Sequence, residues 1–157
     1  MKFEQIINDV LLHEGGYVDD PLDKGGETNF GISKRWYPHI DIKNLTKNDA
    51  VNIYYNDYWI PSKASELPGH LRSTYFDMVV NMGQTTAIRI MQEAINSVQA
   101  TRIDEDGLIG PETINSANKL SKKRLQAYRC HFYSKIVIAE PTQKRFYYGW
   151  FKRATSV

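Results

Sequence analysis

Glu14 closes a stretch, Lys2 to His13, in which Phe3, Ile6, Ile7, Val10 and Leu11 recur at the spacing of one helical face, and Gly15 and Gly16 follow at once. A carboxyl at a helix C-terminus meets the negative end of the dipole, and Tyr17 with its apolar neighbours takes water away from it. Both effects favour the protonated form. Nine residues further on comes Asp23, then Thr28, on a run with five glycines and four acids after Glu14, a wet setting that keeps an aspartate ionised. One carboxyl held protonated, with an ionised or water-holding partner across the bond, is the equipment for cleaving an acetal such as a glycosidic bond. The plain alternatives are a solvated acid beside a glycine cap for Glu14, turn formers beside Pro21 and Gly25 for Asp19, Asp20 and Asp23, and a loop hydroxyl for Thr28.

Other chemistries fail on spacing. HEGGY begins like a zinc-protease motif, but Tyr17 stands where the second His is needed and the glycines break the helix. Gly15, Gly16, Gly25 and Gly26 make no phosphate loop, because no Lys with a following Ser or Thr opens a helix after them. Asp104, Asp106 and Gly107 fit three positions of a calcium loop, yet Arg102 and Thr113 occupy its first and twelfth, so a capped turn is expected. Cys130 and His131 are neighbours on a helix, pointing about 100° apart, and do not form a nucleophile and base pair by themselves. No metal and no cofactor are expected.

The elements that must hold these residues are mostly helices. After the helix ending at Glu14, the chain to Ile32 lacks helical period; its extended, glycine-rich part is the single β candidate, a short hairpin within 17–32. A short helix is expected over 33–37 before Pro38, another over 47–57 capped by Thr46, a third over 70–81 and a fourth carrying Ile88, Met91, Ile95 and Val98. TRIDEDGLIGPET is a polar turn leading to Pro111 at a first helical position, followed by helices over 121–139 and 142–153. Aromatic and amide side chains suited to a sugar are Tyr17, Asn29, Tyr58, Trp59 and Asn81, whereas Phe30 reads as loop core. Core packing is the plain alternative for Tyr58 and Trp59, and helix capping for Asn81.

The chain of 157 residues has 41% hydrophobic and 12% aromatic residues, the composition of one ordinary globular domain. A single cysteine excludes an internal disulfide. Net charge of +2 is too weak to point to nucleic acid, and the Lys and Arg of the last quarter, from Lys122 to Arg153, read as solvated helix faces. No apolar run is long enough for a membrane span, and the first residues read as a helix with acids in it rather than as a secretion leader.

The Glu, Asp, Thr order resembles that of phage-type lysozymes, one residue shorter between Asp and Thr. EGGYVDDPLDKGGETNFGIS is similar to the signature of glycoside hydrolase family 108, N-acetylmuramidases found as phage endolysins and as bacterial muramidases linked to secretion. The likeness continues through LTKNDAVNIYYNDYW and ELPGHLRSTYFDMVVNMG. DGLIGPETI resembles the peptidoglycan-binding module that follows in this family, and RFYYGWFKR its closing helix.

The resemblance implies a mainly α, lysozyme-like fold with a glycine-rich active-site loop. Residues 1–100 would form the catalytic region and 101–157 a peptidoglycan-binding-like helical region, packed together as one compact unit with a cleft beside the first helix. It further implies cleavage of the β-1,4 bond between N-acetylmuramic acid and N-acetylglucosamine, with Glu14 as the essential general acid and no metal; Asp23 and Thr28, placed by their spacing rather than by the resemblance, are the candidates to direct the attacking water. A monomer is expected, with peptidoglycan as its partner and neither nucleic acid nor stable membrane insertion. The setting is expected to be the host cytoplasm, with action on the cell wall or periplasm after release. The alternative from a different class is a peptidoglycan-binding module without catalysis, using DGLIGPET and the basic tail; intact Glu14 argues against it.

Overall fold

The computed structural model describes residues 2–19 and 26–157, which fall into two compact units, 2–57 and 58–157. Asp20 and Asp23 lie outside the described residues. The architecture is mainly α, with one small antiparallel hairpin as expected.

In the unit 2–57, helix α1 (Phe3–Glu14) buries Phe3, Ile6, Ile7, Val10 and Leu11, the face read from the sequence. It stops because Gly15 takes φ +79°, a conformation that β-carbon sterics deny to most residues, while its N–H still donates to the Leu11 carbonyl at 3.3 Å. Strands β1 (Thr28–Asn29) and β2 (Ile32–Ser33) pair Thr28 with Ser33 and Asn29 with Ile32. Val18 adds a bridge to Thr28 through two 2.8 Å backbone hydrogen bonds. Phe30 and Gly31 form the turn between the strands with φ of +50° and +76°, the positive pair that a two-residue type I′ hairpin requires.

Downstream of the hairpin, the helix expected over 33–37 is a single turn in which the Trp36 and Tyr37 N–H groups donate to the Ser33 carbonyl. Ser33 is already committed to β2, and too few residues precede Pro38 for a helix to propagate. Helix α2 (Lys47–Ile53) opens on a reciprocal cap: Thr46 accepts from the Asp49 N–H at 3.2 Å and Asp49 accepts from the Thr46 N–H at 3.1 Å. From Tyr54 to Trp59 the chain continues as a π-helix. The helix expected over 47–57 therefore changes its winding at Tyr54.

The unit 58–157 centres on α3 (Arg72–Met82), in which every residue from Ser73 to Val79 is buried. Gly83 at φ +84° separates it from α4 (Gln84–Asn96). A long turn then leads to α5 (Pro111–Ser116), and α6 (Lys122–Ala139) and α7 (Tyr147–Ser156) complete the unit, with 3₁₀ turns at 64–66, 117–119 and 141–146. The last helix expected over 142–153 thus begins as a 3₁₀ turn after Pro141 and becomes α-helical at Tyr147. Tyr75, Phe76, Met78, Ile88 and Met91 are fully buried, each worth about 1.5–3 kcal/mol over leaving it in water.

Two features of this unit depart from the sequence reading. Arg129 and Arg153, counted among solvated basic residues, turn inward onto Asp77: Arg129 Nη2 lies 2.6 Å from one carboxylate oxygen and Arg153 Nη2 2.9 Å from the other, and neither Arg129 nor Asp77 has any exposed side-chain surface. Buried charge of this kind is tolerable only when paired. The polar run 101–110 is held by α4 side chains. Asn96 bonds both backbone groups of Ile103, and Gln92 reaches the Asp106 carboxylate, the Leu108 carbonyl and the Gly107 N–H. Asp106 caps this turn by accepting from the Leu108 N–H at 2.9 Å. No helix among the described residues is long and apolar enough to cross a membrane.

Candidate active site

Glu14 is the last residue of α1, half-buried, and its carboxylate rests against Gly31 of the hairpin turn. A β-carbon at Gly31 would lie 2.7 Å from Glu14 Oε2, 2.9 Å from Glu14 Cβ and 2.7 Å from the Tyr54 hydroxyl oxygen. Glycine is required there twice over, by the positive φ and by this approach. Gly15 and Gly16 differ: among the described residues no atom stands within 4 Å of either added β-carbon, so Gly15 is needed for its φ.

Tyr54 enters from the start of the π-helix. It is 2% exposed and donates its hydroxyl proton to the Phe30 carbonyl at 2.8 Å. The floor of the site is thus one carboxyl, one bare glycine and one buried phenol, contributed by α1, the β1–β2 turn and the end of α2. Phe30 is held in the left-handed region, a conformation that costs a bulky residue on the order of 1–3 kcal/mol and that clusters at functional sites. Neither Gly31, Tyr54 nor Phe30 was named as part of the site from the sequence. The signal that was available is the residue pair FG inside a short extended segment, where turn chemistry would put Asn or Gly first.

The other expected residues sort by unit. Thr28 lies in β1, half-buried, with its backbone committed on both sides to Val18. Tyr17 is 41% exposed; its hydroxyl hydrogen-bonds Glu27, and partial desolvation followed by the charges of Glu27, Asp19 and Asp41 raises it above the ordinary tyrosine range. Glu27 therefore joins the acids of this loop, which the sequence reading had counted without assigning a role. Asn29 is buried and spends its amide on the Ile42 carbonyl at 3.1 Å and the Leu45 carbonyl at 3.4 Å, a scaffold placement that ties the hairpin to the following loop.

Tyr58, Trp59 and Asn81 belong to the unit 58–157. Trp59 is 5% exposed and packs edge-on against Phe76 with ring centres 5.1 Å apart, the core placement that was the plain alternative. Tyr58 is half-buried. Asn81 is exposed, and its side-chain oxygen accepts from the Tyr133 hydroxyl at 2.6 Å. Among the described residues no His, Cys, Asp and Glu cluster has the makings of a metal site.

Against known proteins, residues 7–83 match the family model described as glycosyl hydrolase 108, and residues 86–155 match that of a predicted peptidoglycan domain. The first match ends at Gly83, between α3 and α4, and the second begins in the first turn of α4. Among solved structures, one titled as the structure of Brucella abortus SagA is similar at 28% identity and a TM-score of 0.77, over 98% of this chain and 89% of that one. No curated protein matches.

Proposed function

We propose, for a chain that belongs to glycosyl hydrolase family 108 and acts on peptidoglycan, an N-acetylmuramidase reaction: hydrolysis of the β-1,4 bond between N-acetylmuramic acid and N-acetylglucosamine, with Glu14 as the general acid. The observation that carries this reading is the seating of Glu14 at the end of α1, its carboxyl laid on the bare backbone of Gly31, with no described atom within 4 Å of a β-carbon added at Gly15 or Gly16. A protonated Glu14 donates to the glycosidic oxygen as the bond to the anomeric carbon breaks. Water attacks that carbon, directed by Asp23 and Thr28, and its proton passes to the ionised partner. The exposed ring of Tyr17 offers a face for a sugar at the rim.

The proposal extends to organisation and setting. The region 101–157 holds the wall polymer while the part before it cuts, and the protein works as a monomer with no nucleic acid involved. It is a bacteriolytic, endolysin-type enzyme that meets the cell wall after release from the host cytoplasm. The pairing of a hydrolase match with a peptidoglycan match in one chain supports the division into a cutting and a wall-holding part. The test is Glu14→Gln on purified peptidoglycan. The variant keeps its fold and its retention on insoluble wall, and release of reducing ends disappears. Wild-type levels of release from that variant would overturn the assignment of the acid.

A further inference from the structure

Helices α4 and α6 leave a polar groove between them in the unit 58–157. Two adjoining hollows, of about 570 and 350 Å³, make it up. The larger is lined by Asn96, Ser97 and Arg102 and by Tyr128 and His131 of α6; the smaller by Thr86 and Arg89 of α4 and by Phe132 and Lys135 of α6. Glu93 and Glu105 line both, so the hollows meet at these two carboxylates. Thr86, Arg89, Glu93 and Asn96 recur at intervals of three and four on α4, as Tyr128, His131 and Lys135 do on α6, so each helix gives one face to the groove. The whole lining falls within the 86–155 peptidoglycan match.

The turn 101–110 is fixed as the third wall. Gly107 sits so close to α4 that a β-carbon there would stand 2.7 Å from Thr85 Cγ2 and 3.2 Å from Arg89 Cγ. Asn96, 8% exposed, donates to the Ile103 carbonyl at 2.9 Å and to Glu105 Oε1 at 2.8 Å, which aims the Glu105 carboxylate. Arg102 Nη2 lies 2.7 Å from the same oxygen, and Lys135 Nζ lies 3.1 Å from Glu93 Oε1. Both ion pairs are partly exposed, and pairs of this kind are weak in water and rearrange at little cost. The second oxygen of each carboxylate makes no hydrogen bond among the described residues.

Charge therefore alternates along the groove: Arg102 at one end, two carboxylates in the middle, Arg89 and Lys135 at the other end. A neutral sugar chain makes no use of this pattern. A polyanion would meet Glu93 and Glu105 at its centre. A short peptide with a free amino group between carboxylates matches it charge for charge. Peptidoglycan carries such peptides, its stems, with free carboxylates and an amino group on their diamino acid. From Thr86 to Asn96 the helix rises about 15 Å, the length of about four extended residues.

We propose that the groove between α4 and α6 holds the peptide stems of peptidoglycan, Glu93 and Glu105 taking the free amino group and Arg102, Arg89 and Lys135 the flanking carboxylates. This rests on the wall-holding role given above to the C-terminal region, and names the part of the polymer that is held.

The probe is the stem tetrapeptide L-alanyl-γ-D-glutamyl-diaminopimelyl-D-alanine, which has no glycosidic bond to cut. It is titrated into the whole chain by calorimetry and used to compete for retention on insoluble peptidoglycan. The tetrapeptide binds and displaces the protein. Acetylating its free side-chain amino group, or combining Glu93→Gln with Glu105→Gln, weakens binding about tenfold or more. The acetylated peptide with the doubly substituted protein loses no more than either change alone, a coupling that a merely structural role would not produce. If the double variant folds poorly, Lys135→Ala read against a peptide amidated at its carboxylates supplies the same cycle. A retained protein that the tetrapeptide does not displace, or that only stem-free glycan strands displace, overturns the proposal and leaves the wall-holding role standing. Tetrapeptide binding that both sets of substitutions leave unchanged overturns the groove as its site. Failure of the unmodified chain to be retained on peptidoglycan removes the wall-holding role itself, and the proposal with it.

Discussion

Gly31 and Glu14 are packed so closely that no side chain fits between them: a single added carbon would stand 2.7 Å from Oε2. Gly31→Ala must move the carboxyl, lift the turn, or both, and it also places a β-carbon at φ +76°. The backbone penalty is about 1–2 kcal/mol. On the role proposed for Glu14, displacing its carboxyl by about 1 Å costs on the order of a hundredfold in rate. A variant that melts a few degrees lower yet loses kcat out of proportion is the expected result, measured by thermal unfolding beside reducing-end release.

Asp77 is the sole carboxylate described between two inward-turned guanidinium groups, with Arg129 wholly buried beside it. Asp77→Ala leaves both without their counter-charge, at a cost of about 3–5 kcal/mol. Urea unfolding should show the midpoint collapse with little change in slope. Stability within 1 kcal/mol of the wild type, by the same order-of-magnitude measure, would mean that water reaches the cluster.

Gln92 satisfies three parts of one turn, the Asp106 carboxylate, the Leu108 carbonyl and the Gly107 N–H. Gln92→Ala opens a polar hole in the middle of α4 and should cost about 1–3 kcal/mol. The run 101–110 should then become the first point of proteolytic cleavage, identified by mass spectrometry of the fragments. Binding to insoluble peptidoglycan is expected to weaken with it.

Acid stability has a defined sign. Asp49 is lowered by hydrogen bonds from the Thr46 side chain and N–H, Asp41 by those from Asn44, and Asp106 by those from the Leu108 N–H and the Gln92 side chain. A carboxyl lowered in the folded state contributes stability that is complete above its unfolded value, near pH 4, and is lost as pH falls through the lower folded value. Urea midpoints should therefore be flat in respect of these groups from neutrality to about pH 4 and decline below it. Asp49→Asn should make that decline shallower; an unchanged acid limb would show that the Thr46 cap does not discriminate between the two protonation states.

How far the sequence reaches is clearest at α1. Five apolar residues at helical spacing, an acid and a glycine pair were enough to draw the helix, its buried face and Glu14 at its end. Thr46 with Asp49 likewise announced the start of α2. Both are local patterns. The approach of Tyr54 and Gly31 to Glu14 joins residues far apart in the chain, and no spacing rule encodes it. Arg129 and Arg153 looked like solvent because charge usually is; only the placement of Asp77 on the buried α3 brings them in. Asn29 looked like a sugar ligand for the reason that it serves as a scaffold, an amide that bonds two carbonyls at once. The π-helical winding from Tyr54 leaves no compositional mark.

Phe30 has a consequence for anyone engineering this protein for heat tolerance. A designer ranking positions by backbone ease would replace it first, with Asn or Gly, and would gain melting temperature for doing so. The gain would come from a turn whose first residue no longer needs the hydrogen bond from Tyr54 to stay left-handed, while Gly31 keeps its place against Glu14. The hairpin thus divides its duties between adjacent residues: Phe30 can be exchanged for heat tolerance, and Gly31 cannot be exchanged at all.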